Sequence, residues 1–365
     1  MSEVYHPQTR SGLTKGAAWG RRIWTSLIIL AFITALCLIG PLVSGHPYDA
    51  VYRDYVLVEP SLFAHPTTAE TEETLLTLTR RLDVQAENIH LSENKVSLTL
   101  RAEKPIDPRA LRSFERTDLF GPARLVESAD EGRSLTIEVP VRRQRFLFGT
   151  DANGRDLFTR VLIAGRISLA VGLLASFVAL TIGVGYGAAA GYAGGRIDAL
   201  MMRAIEILYA LPFIFFVIVL VMLFGRHFAL IFAAVGAVQW LDMARIVRGQ
   251  ALSIKAKDFV AAAEALGASP SAILWRHIIP NAAGPILAYL SVLVAQVILL
   301  ESFVSFLGLG VQEPLTSWGV LIADGARNIQ GSLYLLIFPA LFLGATLGAL
   351  QSLGDGFRKG RMGNR

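Results

Sequence analysis

One cysteine, Cys37, stands in 365 residues, inside a long run without charge. An intrachain disulfide is therefore impossible, and no metal site can rest on thiolates. Six histidines (His6, His46, His65, His90, His227 and His277) fall too far apart to make a ligand cluster, which argues against a metal centre. The chain has no Gly-x-x-x-x-Gly-Lys-Ser/Thr loop. The glycines of Gly183-Val-Gly185-Tyr-Gly187 follow no strand and sit in an apolar run, so they are not a nucleotide loop. Charge is scarce too: 17% charged residues against 53% hydrophobic. That balance excludes an ordinary soluble enzyme of this length.

Long uncharged runs take the place of what is missing. The intervals Arg22–His46, Arg166–Arg196, Glu206–Arg226, His277–Glu301 and Arg327–Asp355 enclose 23, 29, 19, 23 and 27 residues without charge. A spanning helix needs roughly 20 apolar residues, so five spans are expected, near 23–43, 167–190, 203–224, 282–302 and 332–353. Phe228–Leu241 offers only 14. Charge distribution argues for a sixth span over about 227–247. Arg10, Lys15, Arg21 and Arg22 place the N-terminus inside, and without that crossing Arg245, Arg248, Lys255, Lys257 and Arg276 would form a basic loop on the wrong face. The first run lacks a small-residue cleavage site and reads as an anchor. Pro212 is expected to kink the third span.

Residues 44–160 are different. They carry 16 basic and 19 acidic residues, net −3, so the rest is +8 and the whole chain +5. The basic excess follows topology and does not indicate nucleic-acid binding. Within this insert, 68–82 reads as a helix with Leu75, Leu76 and Leu82 toward one side. Val96, Leu98 and Leu100 alternate as in a half-buried strand, and Asp107-Pro108 opens a capped helix. Residues 123–127 and 135–139 read as a hairpin around Asp130-Glu-Gly132. A small α+β extracytoplasmic domain is expected. The fold class is then an all-α polytopic membrane protein of six transmembrane helices carrying that insert. The tail 1–22 and the C-terminal 359–365 are expected in the cytoplasm of a cell whose inner membrane the chain crosses.

Gly183, Gly187, Gly191 and Gly195 recur every four residues, the spacing that lets helix backbones approach closely in lipid. Arg203 and Glu206 suit an interfacial ion pair. Glu301, at the outer end of the fifth span, has two readings: a pathway or gating acid, or a helix-end acid hydrogen-bonded to the glycine-rich loop 303–331. Gln239 and Gln296 read as interhelical hydrogen-bond partners, with Gln296 also a pathway candidate. The last polar stretch lies at 258–280. Residues 261–266 favour helix, Gly267 stops it, Ser269-Pro270 opens a second helix, and Pro280 is expected to end that one.

That stretch carries a resemblance. Phe259-Val-Ala-Ala-Ala-Glu-Ala-Leu-Gly267, with Pro280 thirteen residues on in Arg276-His-Ile-Ile-Pro-Asn281, resembles the EAA loop of binding-protein-dependent ABC importer permeases. Phe148-Gly-Thr-Asp-Ala-Asn-Gly-Arg-Asp-Leu157, Ser305-Phe-Leu-Gly-Leu-Gly-Val-Gln312, Ser317-Trp-Gly319 and Leu353-Gly-Asp-Gly356 are similar to segments of the dipeptide/oligopeptide/nickel class, C-type subunit. The likeness covers about 146–358; residues 60–145 lie outside it. It implies a permease core at 161–358 with a cytoplasmic coupling loop at 248–281. The loop would contact ATPase subunits through Ala261, Ala262, Ala263, Glu264, Ala265, Gly267, Ala268 and Pro280. It implies a homologous permease subunit as heterodimer partner, two ATPase subunits and an extracytoplasmic substrate-binding protein. ATP and magnesium would belong to the ATPases, this chain being non-catalytic and without a cofactor of its own. The cargo implied is a di- or oligopeptide, with nickel chelates, opines or another small solute as alternatives. A membrane sensor with an outer ligand-binding domain is the reading from another class. Ala261 stands where the family carries glutamate, and Asp258 or Glu264 is left to replace it.

Overall fold

The computed structural model describes residues 11–92, 94–225 and 228–362. His6, Arg10, Arg226 and His227, which entered the charge and histidine arguments, lie outside them. The chain divides into two compact units. The first comprises residues through Val43, Val161–Ile329 and the chain from Leu335 onward; the second comprises Ser44–Arg160 and Gln330–Tyr334.

The N-terminal helix α1 runs Ser11–Val43. The second unit follows. Its helix α2 (Thr68–Arg81) is held by a capping box: Thr67 Oγ1 accepts from the Glu70 N–H at 3.3 Å, and Glu70 Oε2 accepts from the Thr67 N–H at 2.6 Å. Strands β1 (Gln85–Leu91) and β2 (Lys95–Arg101) form an antiparallel pair. Asp107 caps the short turn Pro108–Leu111 that leads into α3 (Arg112–Glu115). Strands β3 (Arg124–Ala129) and β4 (Ser134–Pro140) make a hairpin, giving the sheet order β1-β2-β4-β3. Val96, Leu98 and Leu100 of β2 lie opposite Val139, Ile137 and Leu135 of β4, and all six are buried with Leu75, Leu78 and Phe114. Leu76 turns outward instead, because the buried stripe of α2 runs through Thr71, Leu75, Leu78 and Thr79, at helical spacing.

Helix α4 runs Leu157–Ala193, 37 residues where a membrane crossing needs about 20. Asp156 caps it, accepting from the Thr159 N–H (2.8 Å) and hydroxyl (2.6 Å); burial raises this carboxyl above the usual range against those two bonds, which lower it. Next come α5 (Gly195–Tyr209) and α6 (Phe213–Phe224), bent by 72°. Pro212 therefore separates two helices where a kink within one was expected: it supplies the extended N-cap of α6 and cannot donate to the turn before it. Then follow α7 (Phe228–Lys255), α8 (Asp258–Ala265), α9 (Pro270–Ile273), a π-helical turn Leu274–Ile278, α10 (Ile279–Phe306), α11 (Trp318–Arg327) and α12 (Tyr334–Met362). Among the described residues, four helices are long and apolar enough to cross a membrane, or five if the bent pair is one span. The sixth expected span falls on α7, 28 residues long, whose second half carries Asp242, Arg245, Arg248 and Lys255.

The core of this unit joins α4 (Val171, Ala175, Ala179), α7 (Val235, Met243, Val247, Ala251) and α10 (Ile286, Leu293, Val297). Glycine makes the α4–α7 seam. A Cβ on Gly183 would stand 2.6 Å from the Met243 Cβ, one on Gly191 2.7 Å from the Ala251 Cβ, and one on Gly187 would strike the Ala244 carbonyl. Gly195 departs from the expected stripe: α4 has already ended at Ala193, and nothing lies within 4 Å of its Cβ position. A bidentate Asp198–Arg248 pair then ties α5 to α7.

Candidate coupling site

The stretch after α7 is built from capping chemistry. At the end of α8 the Gly267 N–H donates to the Glu264 carbonyl (3.0 Å) and the Ala268 N–H to the Ala263 carbonyl (3.1 Å). These are the two bonds of a Schellman ending, and they require the positive φ of +79° that Gly267 adopts. Two residues later Ser269 Oγ accepts from the Ala272 N–H at 3.3 Å, with Pro270 in the first turn of α9. Pro280 does not end this second helix. The π-helical turn Leu274–Ile278 widens the backbone just before it, and Pro280 falls in the first turn of α10, where its missing N–H is not required. Residues 270–306 thus run on as one helix long and apolar enough to cross a membrane, with this segment at its head.

One side of the segment faces the core. Val260, Ile273, Ile278 and Ala282 are buried in the same cluster as Ala251 and Ile254 of α7. The other side is bare. Leu266 is 88% exposed, Trp275 69% and Phe259 44%, and Ala261, Ala262, Ala265, Gly267 and Pro280 are exposed around them, with Ala263 and Ala268 half-buried. The tip is small and apolar, and a partner covering Leu266 alone would gain about 1.5–3 kcal/mol.

Sequence reasoning left open which acid serves this segment, and the structure brings Glu264 into a network the sequence did not show. The Tyr192 hydroxyl donates to Glu264 Oε1 at 3.1 Å, and Lys255 Nζ donates to the Tyr192 carbonyl at 2.5 Å while lying 5.1 Å from that ring. The turn is so linked to the ends of α4 and α7. Tyr192 is 72 residues from Glu264, too distant for spacing to reveal the pair.

Glu301 sits elsewhere, fully buried in α10. It accepts from Ser305 Oγ (2.7 Å), Ser168 Oγ (3.0 Å) and Ser302 Oγ (3.4 Å). Ser168 Oγ in turn accepts from the Trp318 N–H (3.3 Å), and Trp318 Nε1 donates to the Val161 carbonyl (3.0 Å). The carboxylate thereby joins α4 and α10 directly, and α11 through Ser168. Gln296 is exposed on another face of α10 and is not brought to Glu301; Gln239 is half-buried in α7. Arg203 and Glu206 do pair, at 3.0 Å on an exposed face.

Glycine-packed helices long and apolar enough to span a membrane, with a capped turn that is bare on one face, define an integral membrane subunit. The family described as "Binding-protein-dependent transport system inner membrane component" matches residues 181–358. The oligopeptide transport system permease protein OppC of Haemophilus influenzae is 54% identical over 219 residues, covering 60% of this chain and 70% of that one. OppC of Escherichia coli is 56% identical over 211 residues, 58% of this chain and 70% of the relative. The dipeptide transport system permease protein DppC of Bacillus subtilis is 47% identical over 212, 58% and 66%. The chain belongs to this family of multi-pass inner-membrane permeases.

Proposed function

We propose that the chain is the C-type permease subunit of an ATP-binding-cassette importer for di- or oligopeptides. The cargo reading rests on the peptide permeases it is similar to. The mechanistic reading rests on one observation: the capped, apolar turn around Leu266 and Gly267, bare on one side and packed into the helix core on the other. In this account both termini and the turn are cytoplasmic, and the second unit is extracytoplasmic. A homologous permease completes the pathway, and a binding protein delivers peptide. Two ATPase subunits bind ATP and magnesium, and one of them grips Ala261–Ala265, Gly267, Ala268 and the flank leading to Pro280. When the ATPases close, the push on this turn travels along the continuous helix 270–306. The chain itself contributes shape and motion, and the chemistry belongs to the ATPases.

The test is reconstitution in proteoliposomes with the partner permease, both ATPases and the binding protein. Labelled oligopeptide should accumulate only with ATP and binding protein together. Accumulation of a nickel chelate or an opine with no uptake of peptide would overturn the cargo reading.

Glu264 is expected to stand in for the glutamate replaced at Ala261, by holding Tyr192. Glu264→Ala should lower uptake several-fold, in keeping with a hydrogen bond worth about 0.5–1.5 kcal/mol. Tyr192→Phe should lower it to the same degree, and Ala261→Glu added to Glu264→Ala should restore part of it. Unchanged uptake in Glu264→Ala would show that the turn works without that acid.

A further inference from the structure

Arg245, on α7 in the first unit, stands without an acid at the depth of the spanning helices. It is exposed and makes no ion pair among the described residues. Asp242, three residues earlier, does not neutralise it. Both Asp242 oxygens accept from the Tyr209 hydroxyl at 2.8 Å, and the Arg245 guanidinium lies over the ring of that same tyrosine, 4.3 Å from its centroid. Arg248, one turn further on, has its bidentate partner in Asp198.

The glycine seam sets the depth of this cluster. Met243 and Ala244, between Asp242 and Arg245, pack on Gly183 and Gly187 of α4. Those glycines fall within the charge-free run between Arg166 and Arg196, on a helix long and apolar enough to cross a membrane. On the other flank Ile205 of α5 is buried with Leu241 and Ala244 of α7. Tyr209 is the last residue of α5, and the helix breaks directly after it. Ala210, Leu211 and Pro212 are exposed there, between two helices bent by 72°. Two observations thus coincide. An ionisable side chain at membrane depth faces protein or water and marks a solute path. Non-helical backbone at that depth is tolerated where it lines a water-filled cavity, and broken helices form solute sites in other transporters.

We propose that this face of α5 and α7 lines the solute passage, and that Arg245 receives the carboxylate end of the peptide as it crosses. The inference rests on the peptide-importer reading above. A guanidinium offers a planar fork of N–H donors that matches a carboxylate. Every unmodified peptide carries that carboxylate whatever its side chains, so one cation serves a varied cargo. Asp242 and Tyr209 are positioning residues: the bond from hydroxyl to carboxylate fixes the ring, and the ring fixes the guanidinium stacked on it. The nearby Asp242 charge also keeps the grip weak, and a passage site must release what it binds.

Transport is measured in proteoliposomes with the partner permease, the ATPases and saturating loaded binding protein, using one peptide as free acid and as C-terminal amide. Arg245→Gln should lower the maximal rate about tenfold for the acid and less than about twofold for the amide. The concentration of loaded binding protein giving half-maximal rate should not change. Arg245→Lys should restore part of the loss. An equal loss for acid and amide would overturn the proposal and leave Arg245 a structural residue. Absence of peptide uptake by the unsubstituted transporter would instead overturn the importer reading beneath it. A second measurement needs no amide. Arg245→Cys, with Cys37→Ala, in the assembled transporter in nanodiscs should react with a water-soluble, negatively charged thiosulfonate. Free-acid peptide supplied with binding protein and ATP should slow that reaction. A thiol closed to the reagent would show that lipid or the partner permease covers this face, and would overturn the proposal as well.

Discussion

Gly267→Asp is expected to abolish ATP-driven uptake while leaving the chain folded in the membrane. The backbone there has φ +79°, where aspartate and asparagine are the best tolerated side chains after glycine. Nothing lies within 4 Å of the position a Cβ would take, so the fold has room for the new side chain. Local strain amounts to about 1–2 kcal/mol at most. The damage falls on the outer surface, where a carboxylate would stand beside Leu266 on the face the ATPase must cover. Leaving an unpaired charge in a buried interface costs about 3–5 kcal/mol, enough to reduce docking more than a hundredfold. Gly267→Asn has the same shape and the same backbone demand without the charge, and should retain measurable uptake. The comparison is made by peptide uptake in proteoliposomes, with the amount of folded chain measured in parallel. Equal uptake by the aspartate and asparagine variants would remove the docking role from this turn.

Gly187→Leu should have the largest effect on stability. The α4–α7 seam brings backbone against backbone, with the Ala244 carbonyl, carbonyl carbon and Cα all at the position where a Cβ would stand. No rotamer relieves a clash with main chain, and overpacking a close seam costs about 1–3 kcal/mol or more. Lipid offers no compensating drive to hold the two helices together. The seam also carries Tyr192 into reach of Glu264, so a variant that does assemble should lose that bond and couple poorly. Gly185→Leu is the internal control: two residues away on the same helix, it has nothing within 4 Å. Thermal unfolding in detergent should show a large loss for Gly187→Leu and little for Gly185→Leu. Similar losses at the two positions would show that the close approach at Gly187 does not govern stability here, since leucine is the better helix former at both.

These two cases show what a sequence reveals and what it hides. A four-residue glycine period points to a seam without naming the helix across it, and it continues one step too far, to Gly195, because periodicity cannot see where α4 stops. Local chemistry was readable: Ser269 with Pro270, Gly267 as a helix stop and the alternation at Val96–Leu100 all act through near neighbours. β1 escaped notice because it is an edge strand of mostly polar residues with an irregularity between Glu87 and His90 and a positive φ at Asn88. α11 was hidden in a stretch read as loop, its buried face being Trp318, Leu321 and Gly325. Pro280 misled because proline usually ends a helix; the π-helical turn before it lets the helix restart. The Tyr192–Glu264 bond and the serines around Glu301 depend on tertiary approach, which one sequence does not encode in any short pattern.

The central claim is that the turn at 258–280 is gripped by an ATPase. The most direct measurement is thiol cross-linking from Leu266→Cys in the assembled transporter, with Cys37→Ala so that no other thiol on this chain reacts. The account predicts an adduct between this chain and an ATPase subunit, in a complex that still hydrolyses ATP and imports peptide. An importing complex in which the cysteine reacts freely with a small maleimide, yet never cross-links to the ATPase, would contradict it.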